Sequence, residues 1–250
     1  MSAETIISVD AMGGDQGPGP LLAGLSRAAR TAPELRFLLF GDEAVLKRQL
    51  KRRRILKDRV EVRHAPDVVA MDEKPSRALR SGRNSSLWHA LQAVSDNEAK
   101  VALSAGNTGA IVAMATLALR RAPGVHRPAI AVHWPAKNEN GYNVVLDMGA
   151  DIKADAGSLV QYAGMGAAYS RLAFGVEEPR VGLLNVGSED MKGRTELQEA
   201  KALLDTLAEK ADLGFRFVGF VEGMDILSDR VDVVVTDGFT GNIAMKASEG

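Results

Sequence analysis

The strongest constraint on the fold is a pattern that runs the length of the chain. Short apolar runs, many of them leaving through a polar, glycine-bearing turn, alternate with longer stretches of helical character. Strand-like runs lie at 5–9, 36–40, 60–63, 101–104, 130–134, 144–147, 181–186, 216–220 and 231–236. Several carry a continuous apolar stretch, as in 37–40, 144–146 and 233–235, which suits strands covered on both faces by helices. Helices are predicted at 20–32, 43–54, 85–96, 108–120, 156–174 and 195–211, with a last one opening near 241. Alternation of this kind predicts an α/β fold on a mainly parallel sheet.

The 250 residues are read as one catalytic unit, with a possible subdomain boundary where proline and glycine interrupt the pattern at 121–127. Gly157, Gly164, Gly166 and Ala168 in one helix permit close approach, either to its own sheet or to a second helix or subunit. The final helix has barely opened when the sequence stops at Gly250. A strand followed by so short a helix leaves apolar sheet surface bare. The natural protein is therefore expected to be longer, or a partner to cover that surface.

Composition narrows the chemistry. A formal net charge of -1 gives no general attraction to nucleic acid, so any basic surface must be local. The absence of cysteine excludes disulfides, thioacyl-enzyme intermediates and thiolate metal sites together. His64, His89, His126 and His133 lack metal-ligand spacing, no GxSxG elbow is present, and neither metal nor cofactor is expected. The start lacks a signal-peptide pattern and no apolar run is long enough to span a bilayer, so a cytoplasmic protein is expected.

Four turns at strand exits share one polar grammar. The first carries Asp10, Gly13, Gly14 and Asp15; its glycines let backbone N–H groups approach an anion, although a structural turn explains them as well. The second, Ser104 to Gly109, brings two hydroxyls (Ser104, Thr108), the Asn107 amide and two glycines to a helix start. Anion binding and ordinary capping are both consistent with it. The third offers Asn185, Glu189, Asp190, Lys192 and Arg194: cations able to hold phosphate or a developing thiolate, or simply a charged solvent loop. The fourth presents Asp237 and Asn242. Recurrence of Asn, Asp and Gly at these exits points to a cleft along one sheet rim. Separately, Lys47 to Arg59 is densely basic; Arg52 and Arg53 are candidates for docking an acidic partner protein, against the alternative of a solvated helix face.

These residues resemble a known family, the phosphate acyltransferases of bacterial phospholipid synthesis. The resemblance rests on Val9 to Asp15, His64 to Pro66, Met71 to Ser76, Ser104 to Ala110, Leu146 to Ala150, Leu183 to Gly187, Lys192-Gly193 and Thr236 to Asn242, in family order. It implies that inorganic phosphate attacks the thioester of a long-chain acyl-acyl carrier protein, giving acyl-phosphate for a membrane-bound glycerol-3-phosphate acyltransferase. It also implies a homodimer, a C-terminal portion implicated in peripheral membrane contact, and a fold akin to the isocitrate and isopropylmalate dehydrogenases and the phosphotransacetylases. The expected architecture is a three-layer αβα sandwich of the dehydrogenase kind. Carried over by motif, Asn107, Thr108, Lys192 and Asn242 are expected around phosphate and the reacting carbonyl. Asp10, Asp15 and Asp237 would orient donors or manage protons, and Asn185 would line the cleft. Two rivals remain at this level: a metal- and NAD-dependent hydroxyacid dehydrogenase, and a non-catalytic carrier-docking module.

Overall fold

The computed structural model describes residues 4–210 and 213–249. The chain divides into two compact units at Arg121/Ala122. In the first, β1 (Thr5–Asp10), β2 (Leu35–Gly41), β3 (Val60–His64) and β4 (Val101–Ser104) form a parallel sheet in the order β3-β2-β1-β4. Five helices accompany it: α1 (Pro18–Thr31), α2 (Glu43–Leu50), α3 (Pro75–Ser81), α4 (Ser86–Ser95) and α5 (Thr108–Ala118).

Strand β2 shows why its run is apolar from Phe37 to Phe40. Successive side chains point to opposite faces. Phe37 and Leu39 join Leu22, Leu25 and Leu46 in one core, while Leu38 and Phe40 join Ala90 and Ala93 in another. Each large side chain buried this way contributes about 1.5–3 kcal/mol. Helix starts follow local chemistry: Asp42 accepts from the Val45 N–H at 3.0 Å, and Ser85 from the Trp88 N–H at 3.2 Å. Helix α2 stops at Leu50 instead of running to 54, and a 3-10 turn at Arg54–Leu56 carries Leu56 into the core under α1. Helix α3 was not anticipated. Its seven residues bury only Ala78, too little to write a helical period.

The second unit contains β5 (Val132–Pro135), β6 (Tyr142–Leu146), β7 (Arg180–Leu184), β8 (Arg216–Val221) and β9 (Val233–Val235), in the order β5-β6-β9-β7-β8. Only the β5–β6 pair is antiparallel. Helices α6 (Ala156–Phe174), α7 (Thr195–Lys210) and α8 (Gly238–Glu249) complete it. The predicted end of α7 at Ala211 lies outside the described residues. Val144, Leu146, Val181, Leu183, Val233 and Val235 meet α6 and α7 through Leu159, Tyr162, Leu197 and Leu204. On the other face Val145, Val221 and Val234 pack with Ile226, and Met245 of α8 lies against them. Gly166 lets α6 sit down on its own sheet, since a Cβ there would fall 2.5 Å from Val233 and 2.8 Å from Leu146.

The expectation of a single three-layer sandwich is therefore corrected. The strands fall into two sheets of four and five. Apolar runs report that a strand is covered on both faces; they carry no information on which strands share a sheet. Among the described residues, no helix is long and apolar enough to cross a membrane, and no group of three or more His, Asp or Glu could hold a metal ion.

Candidate active site

Strand order decides which exits are neighbours. In the first unit the chain lays β2 and β3 to one side of β1 and then β4 to the other, so the order reverses between β1 and β4. Such a switch point is where open α/β sheets place their ligands. Register pairs Asp10 with Ser104 across it. The buried Asp10 carboxylate accepts from Ser86 Oγ at 2.5 Å and Ser104 Oγ at 2.7 Å, and from the N–H of Gly13 at 3.1 Å and of Met12 at 3.3 Å. Ser104 Oγ accepts in turn from the Gly106 N–H at 3.0 Å, which knits the two turns together. Gly14 follows against Ala105, and Asp15 is exposed.

Asn107 is committed to architecture. Its Oδ1 caps α5 through the Ala110 N–H at 3.0 Å, and its Nδ2 donates to the carbonyls of Met71 at 2.8 Å and Glu73 at 2.9 Å. Of the two roles open for this turn, capping is the one this side chain performs. Thr108 is exposed in the first turn of α5, where helix geometry leaves the Thr108 and Gly109 N–H groups without intrahelical acceptors.

In the second unit, register aligns Leu146 with Val235 and Val235 with Leu183, so the exits of β6, β9 and β7 lie side by side. Each carries a polar residue buried beneath its turn. Asp147 accepts from the N–H groups of Ile130 (2.9 Å), Ala150 (3.0 Å) and Asp151 (2.6 Å). Asp151 takes the Arg127 guanidinium at 3.0 Å and the Tyr162 hydroxyl at 3.2 Å. Burial, followed by the neighbouring Asp151 and Asp147, pushes the Tyr162 phenol well above its ordinary range, so it stays a donor.

Asp237 caps α8: Oδ1 accepts from the N–H of Phe239 at 3.1 Å and of Thr240 at 3.0 Å. Its Oδ2 accepts from the Thr240 hydroxyl at 2.9 Å and from Arg194. Burial is the largest single influence on this carboxyl and acts upward, but the Thr240 hydrogen bonds and Arg194 together outweigh it. The net effect holds Asp237 below the usual carboxylate range. Asn185 accepts from the Val186 N–H at 2.9 Å and donates to the Lys192 carbonyl at 3.0 Å, fixing the turn that carries Lys192 and Arg194. Lys192 Nζ sits 2.6 Å from Glu189 Oε1, and both side chains are largely in solvent. Asn242 packs against Gly149.

Beside these groups the second unit opens a pocket of about 400 Å³. Its walls are mainly apolar, including Leu184, Leu197, Ile226 and Ile243, and its polar lining includes Asn185, Arg194 and Thr240. The arrangement offers a fixed cation next to an apolar volume. The residues singled out from sequence thus form two groups. Asp10, Gly13, Gly14, Ser104, Asn107 and Thr108 belong to the first unit, and Asn185, Glu189, Lys192, Asp237 and Asn242 to the second. Sequence reasoning missed Ser86, Asp147, Asp151 and Thr240. Asp147 and Thr240 had local signals: an Asp at a strand exit before glycine, and an Asp-x-x-Thr spacing at a helix start. Ser86 had none, since it reaches Asp10 across 76 residues of sequence.

A family model described as fatty acid synthesis protein matches residues 5–250. A phosphate acyltransferase of Jannaschia sp. is 53% identical over 247 residues, covering 99% of this chain and 67% of the relative. One from Ruegeria pomeroyi is 54% identical over 249 residues, covering 100% and 67%. The chain thus spans about two thirds of the length of these relatives. Among solved structures, EutD phosphotransacetylase from Staphylococcus aureus matches with a TM-score of 0.69 at 18% identity, covering 98% of this chain and 82% of that one. A phosphotransacetylase from Streptococcus pyogenes matches with a TM-score of 0.69 at 15% identity, covering 98% and 81%. These neighbours overturn the expected likeness to the isocitrate and isopropylmalate dehydrogenases: the architecture is that of the phosphotransacetylase fold. The chain belongs to the fatty acid synthesis protein family.

Proposed function

We propose that this protein transfers a long-chain acyl group from acyl carrier protein to inorganic phosphate, yielding acyl-phosphate and free carrier. Its class is fixed by kinship: relatives 53–54% identical are phosphate acyltransferases, and the chain is an acyltransferase that moves acyl groups to or from phosphate. The donor and the residue roles are our reading. A phosphate oxygen supplies the electron pair for the new C–O bond while the carbonyl electrons move onto oxygen. Collapse of that intermediate breaks the C–S bond, and the departing thiolate takes the proton that phosphate gives up. Such a sequence needs no enzyme thiol, and the chain has none. It needs positioning and a cation near the developing negative charge.

The observation that carries the reading is Arg194, held by the buried Asp237 and lining the apolar pocket of about 400 Å³. An acyl chain in that pocket would leave its carbonyl end near the guanidinium. Lys192, exposed and paired with Glu189, is the second cation in the proposal, and Asn242 a further donor. In the first unit, the N–H groups of Thr108 and Gly109 at the start of α5 suit an anion. Replacing Arg194 with Ala should lower kcat/KM for acyl-carrier substrate by about 100-fold or more while circular dichroism is unchanged. Activity within threefold of the parent would remove Arg194 from the mechanism. The proposal extends to a homodimer and to peripheral contact with the membrane that receives the product; sedimentation of the protein alone and with lipid vesicles checks both.

A further inference from the structure

The densely basic segment after α2 does not stand alone. The turn at 51–55 folds back along α1, and the two enclose a groove of about 530 Å³ lined by Arg27 and Arg30 from one side and Arg52, Arg53 and Arg54 from the other. No acidic residue lines it. Arg53 is the fastener: it donates to the Gln49 carbonyl at 3.2 Å and, across the groove, to the Gly19 carbonyl at 3.1 Å in the first turn of α1. Arg27, Arg30, Arg52 and Arg54 are exposed and make no ion pair among the described residues. Other cations of this unit do pair with carboxylates: Arg36 with Glu4, Arg63 with Glu61 and Glu98, Lys47 with Glu43. A cluster of guanidinium groups without counter-charge repels itself and destabilises the free protein. Arginine also presents the planar fork that fits carboxylates two hydrogen bonds at a time.

We propose that this groove docks an acidic protein surface, and that its occupant is the carrier protein that delivers the acyl group. The inference rests on the donor proposed above and locates where that donor is held. A protein occupant fits better than an anionic membrane. Membrane-surface helices turn an apolar face outward, whereas Leu22, Leu25 and Ala29 of α1 are buried in the core, and Ile55 is the one large apolar side chain lining the groove. The sequence pointed to Arg52 and Arg53 as the docking pair. The structure gives Arg53 a bracing role and adds Arg27 and Arg30 as docking groups.

The test is a titration of the protein with unacylated carrier protein at low and at physiological salt. It compares the parent with Arg27→Glu, Arg52→Glu and, as an equal change of net charge in the other unit, Lys210→Glu. Docking predicts affinity at least tenfold weaker for both arginine variants, a shallower salt dependence, and parental affinity for Lys210→Glu. Thermal midpoints of the arginine variants should equal or exceed the parent, because repulsion has been relieved; a purely structural role would lower them. If the parent binds carrier and the arginine variants bind it equally well, the groove is not the docking site. If the parent ignores carrier but binds anionic vesicles through these arginines, the occupant is a membrane and the proposal is overturned. If the parent neither binds carrier nor uses its thioester, the donor reading fails and takes this inference with it.

Discussion

Asp237 closes the first turn of α8 and anchors Arg194, and both jobs require it to be ionised. Its carboxyl is held below the usual range, so it releases its proton more readily folded than unfolded. The stability it contributes is therefore complete above the unfolded value of about 3.9 and is lost as pH falls through the lower folded value. Asp232 shifts in the same direction: burial raises it, but the Arg180 side chain and N–H outweigh that. Urea midpoints measured between pH 6 and 2.5 should fall on acidification, and fall less steeply in Asp237→Asn. An equal slope in the variant would mean that Asp237 is not linked to folding. Ser86→Ala removes a 2.5 Å hydroxyl donor from buried Asp10 and should cost about 1–3 kcal/mol in urea unfolding. Lys192→Ala, by contrast, removes an exposed side chain. It should leave the urea midpoint unchanged and lower turnover by about 100-fold; loss of stability instead of turnover would argue against its proposed role.

At the scale of elements, the site is made by loops that approach one another more closely than ordinary side chains permit. Gly241 sits over the Asp147 carbonyl and Met148, and Gly238 donates its N–H to the Asp151 carbonyl at 2.8 Å, so the turns after β6 and β9 are locked together. Gly241→Ala would push a methyl group into the Asp147 backbone. We expect a loss of about 2–4 kcal/mol, read by thermal or urea unfolding, with disruption of the site on the second unit. Strand and helix positions were legible because burial writes itself into apolar periodicity: the run at 101–104 and the helix at 156–174 coincide with β4 and α6. Helix α3 and the end of α2 were not. The first is set by a short segment tied to Asn107, the second by Leu56 being drawn inward, and neither is a local property of sequence.

At the scale of the molecule, the same limit explains the difference between one sheet and two. Exits rich in Asp, Asn and Gly marked the proposed site in the sequence, but which exits are neighbours depends on strand order. Asp10 meets Ser104 only because β4 docks on β1, and Asp237 lies next to Asn185 and Asp147 only because β9 inserts between β6 and β7. The arginine groove was half visible, as a basic run; its other wall lies on α1, well away in sequence. The central claim is that acyl groups leave a carrier thioester for phosphate, and one measurement addresses it directly. The protein is incubated with palmitoyl-acyl carrier protein, with and without inorganic phosphate, while free thiol and acyl-phosphate are both quantified. The account predicts thiol release that requires phosphate and is matched mole for mole by acyl-phosphate. Release at the same rate without phosphate, or release with no acyl-phosphate formed, would contradict it.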